Sequence, residues 1–235
     1  MNTFIHFTTL LIISAVYFSA CTTKPYSQEI SIIVDQTETY FRHFTLDELR
    51  KVSAITCSEN NGEHISFHPI TEFGFNEEKS FKLDPVENLL MGNDFERERE
   101  VLEYFSGIDS TVTEFKNGKE ERIGSVIYKI LAEELNRLNE SMADKRILII
   151  NSDLMEKSFI DFYSYATFSE LQRNPEKIQK VLLEKYTLKD LTGIEVYIIY
   201  MPIDKSDSEK FEIVSDFYKV LLQSHGAKVN VKGSL

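Results

Sequence analysis

Runs of hydrophobic residues that end on polar side chains recur along the chain and mark its predicted strands. The first run covers Ile30 to Val34 and stops at Asp35, and another begins at Arg146 and stops at Asn151-Ser152-Asp153. A third run covers Ile194 to Tyr200. Strands that are apolar on both faces are typical of a parallel sheet covered by helices on each side.

Segments of helical periodicity separate these strands. A capping box of Thr45 and Glu48 predicts a helix that starts near Leu46, has apolar positions on one face from residue 46 to residue 55, and is stopped by residues 60–62. The next predicted helix is charged, has its apolar positions from residue 95 to residue 115 and ends at Gly118; its section 107–111, which starts with a glycine, is expected to break or kink it.

Three more helices are predicted in the second half of the chain. One begins near Ser125, and one begins at Asn174 with Pro175 in the first helical position. The last begins at a capping box of Ser206 and Glu209.

The remaining strands are short. Residues 64–70 and 79–83 form a predicted hairpin at one side of the sheet, and residues 228–231 form the last strand. Because strands alternate with helices throughout, the pattern predicts one α/β domain over residues 29–235.

Composition limits the possible partners. The 235 residues are 42% hydrophobic and 27% charged, which is ordinary for a globular protein. The formal net charge of −12 disfavours nucleic acid and anionic lipid surfaces, which both reward clusters of Lys and Arg. A cation is the more natural ligand.

Residues 1–20 have the features of a signal peptide, because an uncharged apolar stretch too short to span a membrane ends in small residues. Residues 18–21, Phe-Ser-Ala-Cys, resemble the lipobox of bacterial lipoproteins. That resemblance implies cleavage before Cys21 and acylation of its thiol. Residues 2–6 depart from the usual pattern because they contain no Lys or Arg. An apolar leader with an unmodified cysteine is the alternative.

Acylation of Cys21 would leave residues 21–28 as a polar tether and place the domain in the bacterial cell envelope, facing the periplasm or the surface. Cys57 would then be the one remaining cysteine, so no intramolecular disulfide could form. We expect Cys57 to be a buried or half-buried structural thiol.

Oxygen-bearing side chains cluster at the predicted carboxyl ends of two strands. Asp35, Thr37 and Thr39 follow the first strand, Asp153 follows the strand that begins at Arg146, and Ser125 stands at a helix entrance. Ligands of open parallel sheets bind beyond the carboxyl ends of the strands, where strand order reverses. Carboxylates and hydroxyls without His or Cys suit a hard divalent cation such as Mg²⁺.

This arrangement resembles the metal-ion-dependent adhesion site of von Willebrand factor A-like domains. Residues 35–39, Asp-Gln-Thr-Glu-Thr, match the family's Asp-x-Ser-x-Ser with threonine in both hydroxyl positions, and Asp153 matches the later aspartate. Ser125 fits the family's middle threonine best by order, with Thr111 and Thr113 as alternatives.

The resemblance implies a three-layer α/β/α, Rossmann-like fold whose mainly parallel sheet has strand order 3-2-1-4-5-6 and one antiparallel edge strand. It also implies a bound Mg²⁺ or Mn²⁺ with the ligands Asp35, Thr37, Thr39, Ser125 and Asp153. The expected function is protein binding of the adhesion or scaffold type, without enzymatic activity. An acidic residue of the partner would complete the metal coordination, and membrane contact would be through the lipid alone.

Two alternatives remain open at this point. Asp35 and Asp153 could bind only loop amides and cap the following helices, without a metal. The chain could instead be a Mg²⁺-dependent phosphohydrolase with Asp35 as nucleophile and Asp153 as metal ligand. Such enzymes carry a general-acid aspartate two residues after the nucleophile, where this chain has Thr37. The aromatic residues from Phe159 to Phe168 fit either a partner-binding rim or core packing.

Overall fold

The computed structural model describes residues 25–37, 43–70, 78–86, 93–117 and 124–235. The leader with Cys21 and the predicted ligand Thr39 lie outside these ranges. The strands are β1 (Ser27–Asp35), β2 (Gly62–Ile70), β3 (Lys79–Leu83), β4 (Lys145–Asn151), β5 (Ile194–Ile199) and β6 (Lys228–Lys232). The helices are α1 (Leu46–Arg50), α2 (Ala54–Cys57), α3 (Asp94–Asn117), α4 (Ile127–Glu140), α5 (Tyr165–Arg173), α6 (Pro175–Lys185) and α7 (Lys205–Ser224).

The six strands form one sheet in the order β3-β2-β1-β4-β5-β6, which confirms the predicted strand order. All neighbouring strands are parallel except β2 and β3, so β3 is the predicted antiparallel edge strand. In such a sheet β1 and β4 lie side by side at its centre, although about 110 residues separate them in sequence. Their carboxyl ends therefore meet at the same edge.

Alternate side chains of the central strands enter two different hydrophobic clusters. Ile33 and Ile150 pack with buried residues of α4, α6 and α7 on one face. Ile32 and Ile149 pack with residues of α1, α2 and α3 on the other face. Helices therefore cover both faces of the sheet, which explains why these strands carry hydrophobic residues without alternation.

The first predicted helix is wrong in its length, because the structure has two short helices in its place. The capping box of Thr45 and Glu48 is present at the start of α1. The chain then leaves the helix, and Ser53 caps the new helix α2. The buried carboxylate of Glu63 on β2 accepts hydrogen bonds from Ala54 N at 2.6 Å and from Ser53 Oγ at 2.9 Å. This carboxylate fixes the second helix start and so interrupts the first.

The predicted kink near Gly107 is also wrong, because α3 is continuous over 24 residues. Gly107 is required by packing, since a Cβ at this position would lie 2.5 Å from a ring carbon of Phe81 on β3. Two residues assigned by periodicity to its apolar face, Phe95 and Leu102, are exposed.

Smaller corrections concern the ends of elements and one thiol. Helix α7 is capped by Asp204, whose side chain accepts a hydrogen bond from Asp207 N, and Ser206 is a helical residue. Strand β1 starts at Ser27, inside the predicted tether. Cys57 is exposed, contrary to expectation.

Within the described ranges, every helix is too short or too polar to cross a bilayer.

A polar network joins α4 to β1 and β2 on the side of the sheet toward β3. The Arg137 guanidinium contacts both Glu29 and Glu134. His64 Nδ1 lies 3.5 Å from Glu29 Oε1, and His68 Nε2 lies 3.1 Å from Glu134 Oε2. Two carboxylates thus share one permanent cation and two imidazoles.

This network lowers the pKa of both glutamates. Hydrogen bonding to His64 has the largest effect on Glu29 and brings its pKa to about 2 against its burial, with help from Ser141 and Arg137. Burial alone would raise the pKa of Glu134, but the hydrogen bond and charge of His68 and the charge of Arg137 outweigh it and bring the pKa to about 2.

We predict that the network causes a loss of stability on acidification from about pH 4.5 to about pH 2. Both carboxyls have a lower pKa when folded than when unfolded, so their stabilisation is present above this window and is lost as protons bind in it. Urea unfolding of the wild type and of Glu29→Gln/Glu134→Gln across this window measures the effect. The variant should show a shallower pH dependence, whereas Glu98→Gln/Glu103→Gln, which changes two exposed glutamates of α3, should follow the wild type. Identical slopes for all three proteins would contradict the prediction.

Candidate functional site

The site lies where β1 and β4 end side by side. Val34 pairs with Asn151 in the parallel register, so the residues that follow each strand meet at one edge of the sheet. Asp35 follows Val34, and Ser152 and Asp153 follow Asn151. The strand pairing thus brings together two polar segments that are far apart in sequence.

Asp35 is at the centre of the site, with 1% of its surface exposed. Its Oδ1 accepts hydrogen bonds from Thr37 N at 2.9 Å and from Thr37 Oγ1 at 2.6 Å. Its Oδ2 accepts a hydrogen bond from Ser152 Oγ at 2.7 Å. Burial raises the pKa of Asp35, and the hydrogen bonds from Thr37 and Ser152 oppose that rise without cancelling it. The carboxyl is therefore held in place by neutral donors.

Asp153 stands in the loop after β4, and its carboxylate is turned toward that loop. Oδ1 accepts a hydrogen bond from Met155 N at 2.9 Å, and the Tyr163 hydroxyl lies 3.5 Å from Oδ2. The direct link from this loop to Asp35 is made by Ser152, the residue before Asp153.

The loop turns sharply at Leu154, whose φ of 64° is in the left-handed region. For a residue with a side chain this conformation costs roughly 1–2 kcal/mol. The side chain of Leu154 is fully buried, its N–H donates to Ser152 Oγ at 2.9 Å, and its carbonyl accepts from Glu156 N at 3.0 Å. These contacts maintain a strained turn directly beside the site.

Ser125 is buried at 4% exposure, and its Oγ has no hydrogen-bond partner among the described residues. Its hydroxyl nevertheless acts to lower the pKa of Asp35. The hydroxyl therefore lies toward Asp35 without the distance and angles of a hydrogen bond. Buried hydroxyls are almost always paired, so a ligand, an ion or a water molecule beside Asp35 would satisfy this oxygen.

A second buried acid, Glu156, was not among the predicted site residues. Its carboxylate accepts hydrogen bonds from Ile127 N at 3.0 Å and Tyr128 N at 2.6 Å, the first two N–H groups of α4, and from Ser158 Oγ. Burial raises its pKa, the hydrogen bonds oppose the rise, and the charge of Asp35 adds to it, so that the pKa is about 7.

Two further polar atoms at this end of the molecule have no partner among the described residues: Tyr218 Oη and Asn151 Oδ1. Burial, together with the charges of Glu156, Tyr128 and Asp153, raises the pKa of Tyr218 well above its usual value. Tyr218 is therefore near both acids of the β4 loop. No local sequence signal reveals this tyrosine, because it occupies a core position of α7.

The predicted residues differ in how the structure places them. Thr37 donates two hydrogen bonds to Asp35, and the Ser125 hydroxyl acts to lower the pKa of Asp35. Asp153 is in the adjoining loop, and Thr39 lies outside the described residues. The alternatives Thr111 and Thr113 are on α3, whose buried apolar residues pack against the opposite face of the sheet from those of α4.

The donor set fits a hard cation in kind, because it contains carboxylate and hydroxyl oxygens. In the described part of the chain, no three His, Cys, Asp or Glu residues converge into a group that could hold a metal. The predicted site does not require such a group, since it combines two carboxylates with hydroxyls. The unpaired Ser125 Oγ is the observation that favours an additional ligand here.

The aromatic run near the site is divided between packing and exposure. Phe162 is buried and Phe168 packs against the core. Phe159, Tyr163 and Tyr165 are exposed. Both interpretations of the run therefore apply, each to different residues.

Comparison with known proteins leaves the family open. No protein-family model matches the sequence, and no curated protein is similar to it. The structure resembles that of a single-residue mutant of the PilB minor pilin from Streptococcus sanguinis, with a TM-score of 0.45 and 12% sequence identity. The alignment covers 90% of this chain but only 58% of the pilin chain. A similarity this low does not support a conclusion about fold or function.

We predict that the metal-free domain loses stability as the pH rises from about 4.5 to about 7 because of Glu156. A raised pKa in the folded state means that the folded protein retains a proton that the unfolded chain has released. Chemical unfolding in EDTA should therefore show the wild type losing stability relative to Glu156→Gln across this window, with a constant difference above it. Parallel curves for the two proteins would show that Glu156 does not titrate in this way.

Proposed function

We propose that the chain is a lipid-anchored, protein-binding domain of the von Willebrand factor A-like type, with a divalent cation site at the carboxyl ends of β1 and β4. The observation that carries the proposal is the buried Asp35 carboxylate, which lies beside the hydroxyls of Thr37 and Ser152 and the unpaired hydroxyl of Ser125. Asp35, Thr37, Thr39, Ser125 and Asp153 are the proposed ligands.

The sheet supports the fold-level part of the proposal. A strand order of 3-2-1-4-5-6 with β3 antiparallel agrees with the order that the sequence resemblance implies. The two hydrophobic clusters, one on each face of the sheet, are compatible with a three-layer α/β/α arrangement. The switch in strand order between β1 and β4 is also the general location of ligand sites in open parallel sheets.

The chemistry of the ligands favours Mg²⁺ or Mn²⁺ bound weakly. Two carboxylates and several neutral hydroxyls do not fill the coordination shell of such an ion, so water molecules would complete it. A carboxylate from a protein partner can replace one of these waters, which makes binding of the partner depend on the ion. Exposed Phe159, Tyr163 and Tyr165 lie in or just after the loop that carries Asp153 and offer apolar contact area nearby.

An aspartate-based phosphohydrolase is the weaker proposal. The position of the general acid is held by Thr37. Assay with small phosphoesters and Mg²⁺ distinguishes the two classes.

We predict that Mg²⁺ or Mn²⁺ raises the thermal unfolding midpoint of the wild type relative to EDTA and has no such effect on Asp35→Asn. The amide oxygen of asparagine can still accept the hydrogen bond from Thr37 N, so the fold is preserved while the charge is removed. At an ion concentration about tenfold above Kd, the stabilisation would be about 1.4 kcal/mol, which corresponds to roughly 3–6 °C for a domain of this size.

The control is Asp109→Asn, which removes an exposed carboxylate from α3 and should respond to the ion as the wild type does. Absence of any midpoint change in the wild type at millimolar ion would exclude the cation from the proposal. A metal-free binding domain would then remain.

The second part of the proposal is lipid attachment at Cys21, supported by the lipobox-like residues 18–21 and the polar residues after them. We predict that a fatty-acid analogue labels the wild type expressed in bacteria and fails to label Cys21→Ser. Cys57→Ser removes the other cysteine and should leave labelling unchanged. Labelling of Cys21→Ser at the wild-type level would exclude the anchor.

A further inference from the structure

We propose that Glu156 is a positioning residue of this site, which holds the Ser125 hydroxyl toward Asp35 by joining the start of α4 to the loop after β4. The inference rests on the proposed cation site. It adds a residue that binds neither ion nor partner and acts through the backbone of its neighbours.

The start of α4 lacks a cap of its own. Its N-cap residue is Val126, which has no side chain able to accept a hydrogen bond. The carboxylate of Glu156 takes this role from another part of the chain by accepting Ile127 N and Tyr128 N. A negative charge also interacts favourably with the dipole of a helix at its N-terminus.

The backbone next to Glu156 also contacts Ser125. Lys157 and Ser125 form an antiparallel bridge, with Ser125 N donating to Lys157 O at 3.1 Å and Lys157 N donating to Ser125 O at 2.9 Å. Glu156 itself is tied to its loop through Leu154 O and Phe162 N. Ser125 is therefore held directly by the backbone bridge, and the Glu156 side chain fixes Ile127 and Tyr128, two and three residues after it.

Ser125 depends on its backbone for its position, because its own side chain is not held by a hydrogen bond from any described residue. Its Oγ makes no hydrogen bond that would hold it in place, yet it stays buried beside Asp35. The rigid start of α4 provides the restraint that the hydroxyl itself lacks. Residues that orient metal ligands from behind contribute to metal affinity without touching the metal.

Two substitutions at Glu156 test separately the reach of its side-chain oxygens and its negative charge. Glu156→Gln keeps an acceptor oxygen at the same reach and removes the charge, whereas Glu156→Asp keeps the charge and shortens the side chain by one methylene. Glu63 provides the matched control, because it is also a buried glutamate that accepts the first N–H of a helix, at the start of α2. It lies at the amino-terminal end of β2, opposite the site.

The experiment titrates the full-length protein with Mn²⁺ at pH 8 and follows the free ion by electron paramagnetic resonance. Glu156→Asp should weaken Mn²⁺ binding by about 10- to 100-fold. Glu156→Gln should bind more tightly than Glu156→Asp and closer to the wild type, and Glu63→Asp should equal the wild type.

Wild-type affinity in Glu156→Asp, or weaker binding by Glu156→Gln than by Glu156→Asp, would overturn the positioning role while leaving the cation site intact. Equal weakening in Glu63→Asp would attribute the effect to general destabilisation and overturn it too. Absence of Mn²⁺ binding by the wild type would overturn both the cation site and this inference.

Discussion

The parallel pairing of β1 with β4 determines the chemistry of this molecule. It places two polar segments from distant parts of the sequence at one edge of the sheet and lets Ser152 donate directly to Asp35. Asp35, Asp153 and Glu156 are all buried at this edge, so their carboxyls lose most of their hydration. The raised pKa of Asp35 and of Glu156 follows from this loss of water. Burial at this edge of the sheet therefore favours the protonated forms of these two acids.

Buried glutamates serve as helix caps in two places and organise opposite ends of the sheet. Glu63 accepts Ala54 N, and Glu156 accepts Ile127 N and Tyr128 N. Each carboxylate comes from a later strand or loop, nine residues after Ala54 for Glu63 and 28–29 residues after the start of α4 for Glu156, so the cap also joins different elements. Burying such groups is costly without hydrogen bonds. Each carboxylate accepts several hydrogen bonds, which reduce the cost of burying it. These hydrogen bonds also determine the residue at which each helix begins.

The sequence predicted the larger features because they depend on local pattern. Apolar runs located the strands, and the polar residues after Val34 and Asn151 indicated two segments that the structure brings together. The caps that come from elsewhere in the chain could not be predicted. A helix over residues 46–55 is consistent with local periodicity, and only the position of Glu63 in the folded sheet divides it. Gly107 shows a related limit, because a glycine that relieves a close contact with Phe81 has the same sequence signal as one that ends a helix. Glu156 has no helical or strand pattern around it, so its role appears only when α4 and the β4 loop are seen together.

Unpaired oxygens give the strongest physical reason to expect a ligand at the carboxyl edge. Ser125 Oγ, Asn151 Oδ1 and Tyr218 Oη are buried at the end of the molecule where Asp35 and Glu156 repel each other. An apolar core would not retain such groups, because each unpaired buried oxygen destabilises the fold. Water could satisfy the hydroxyls but would leave the repulsion between the acids in place. A divalent cation would both accept oxygen ligands and reduce that repulsion. The strained turn at Leu154 lies directly after Asp153 in the same loop. The unpaired oxygens and the repulsion between the two acids are therefore the physical basis of the proposed cation site.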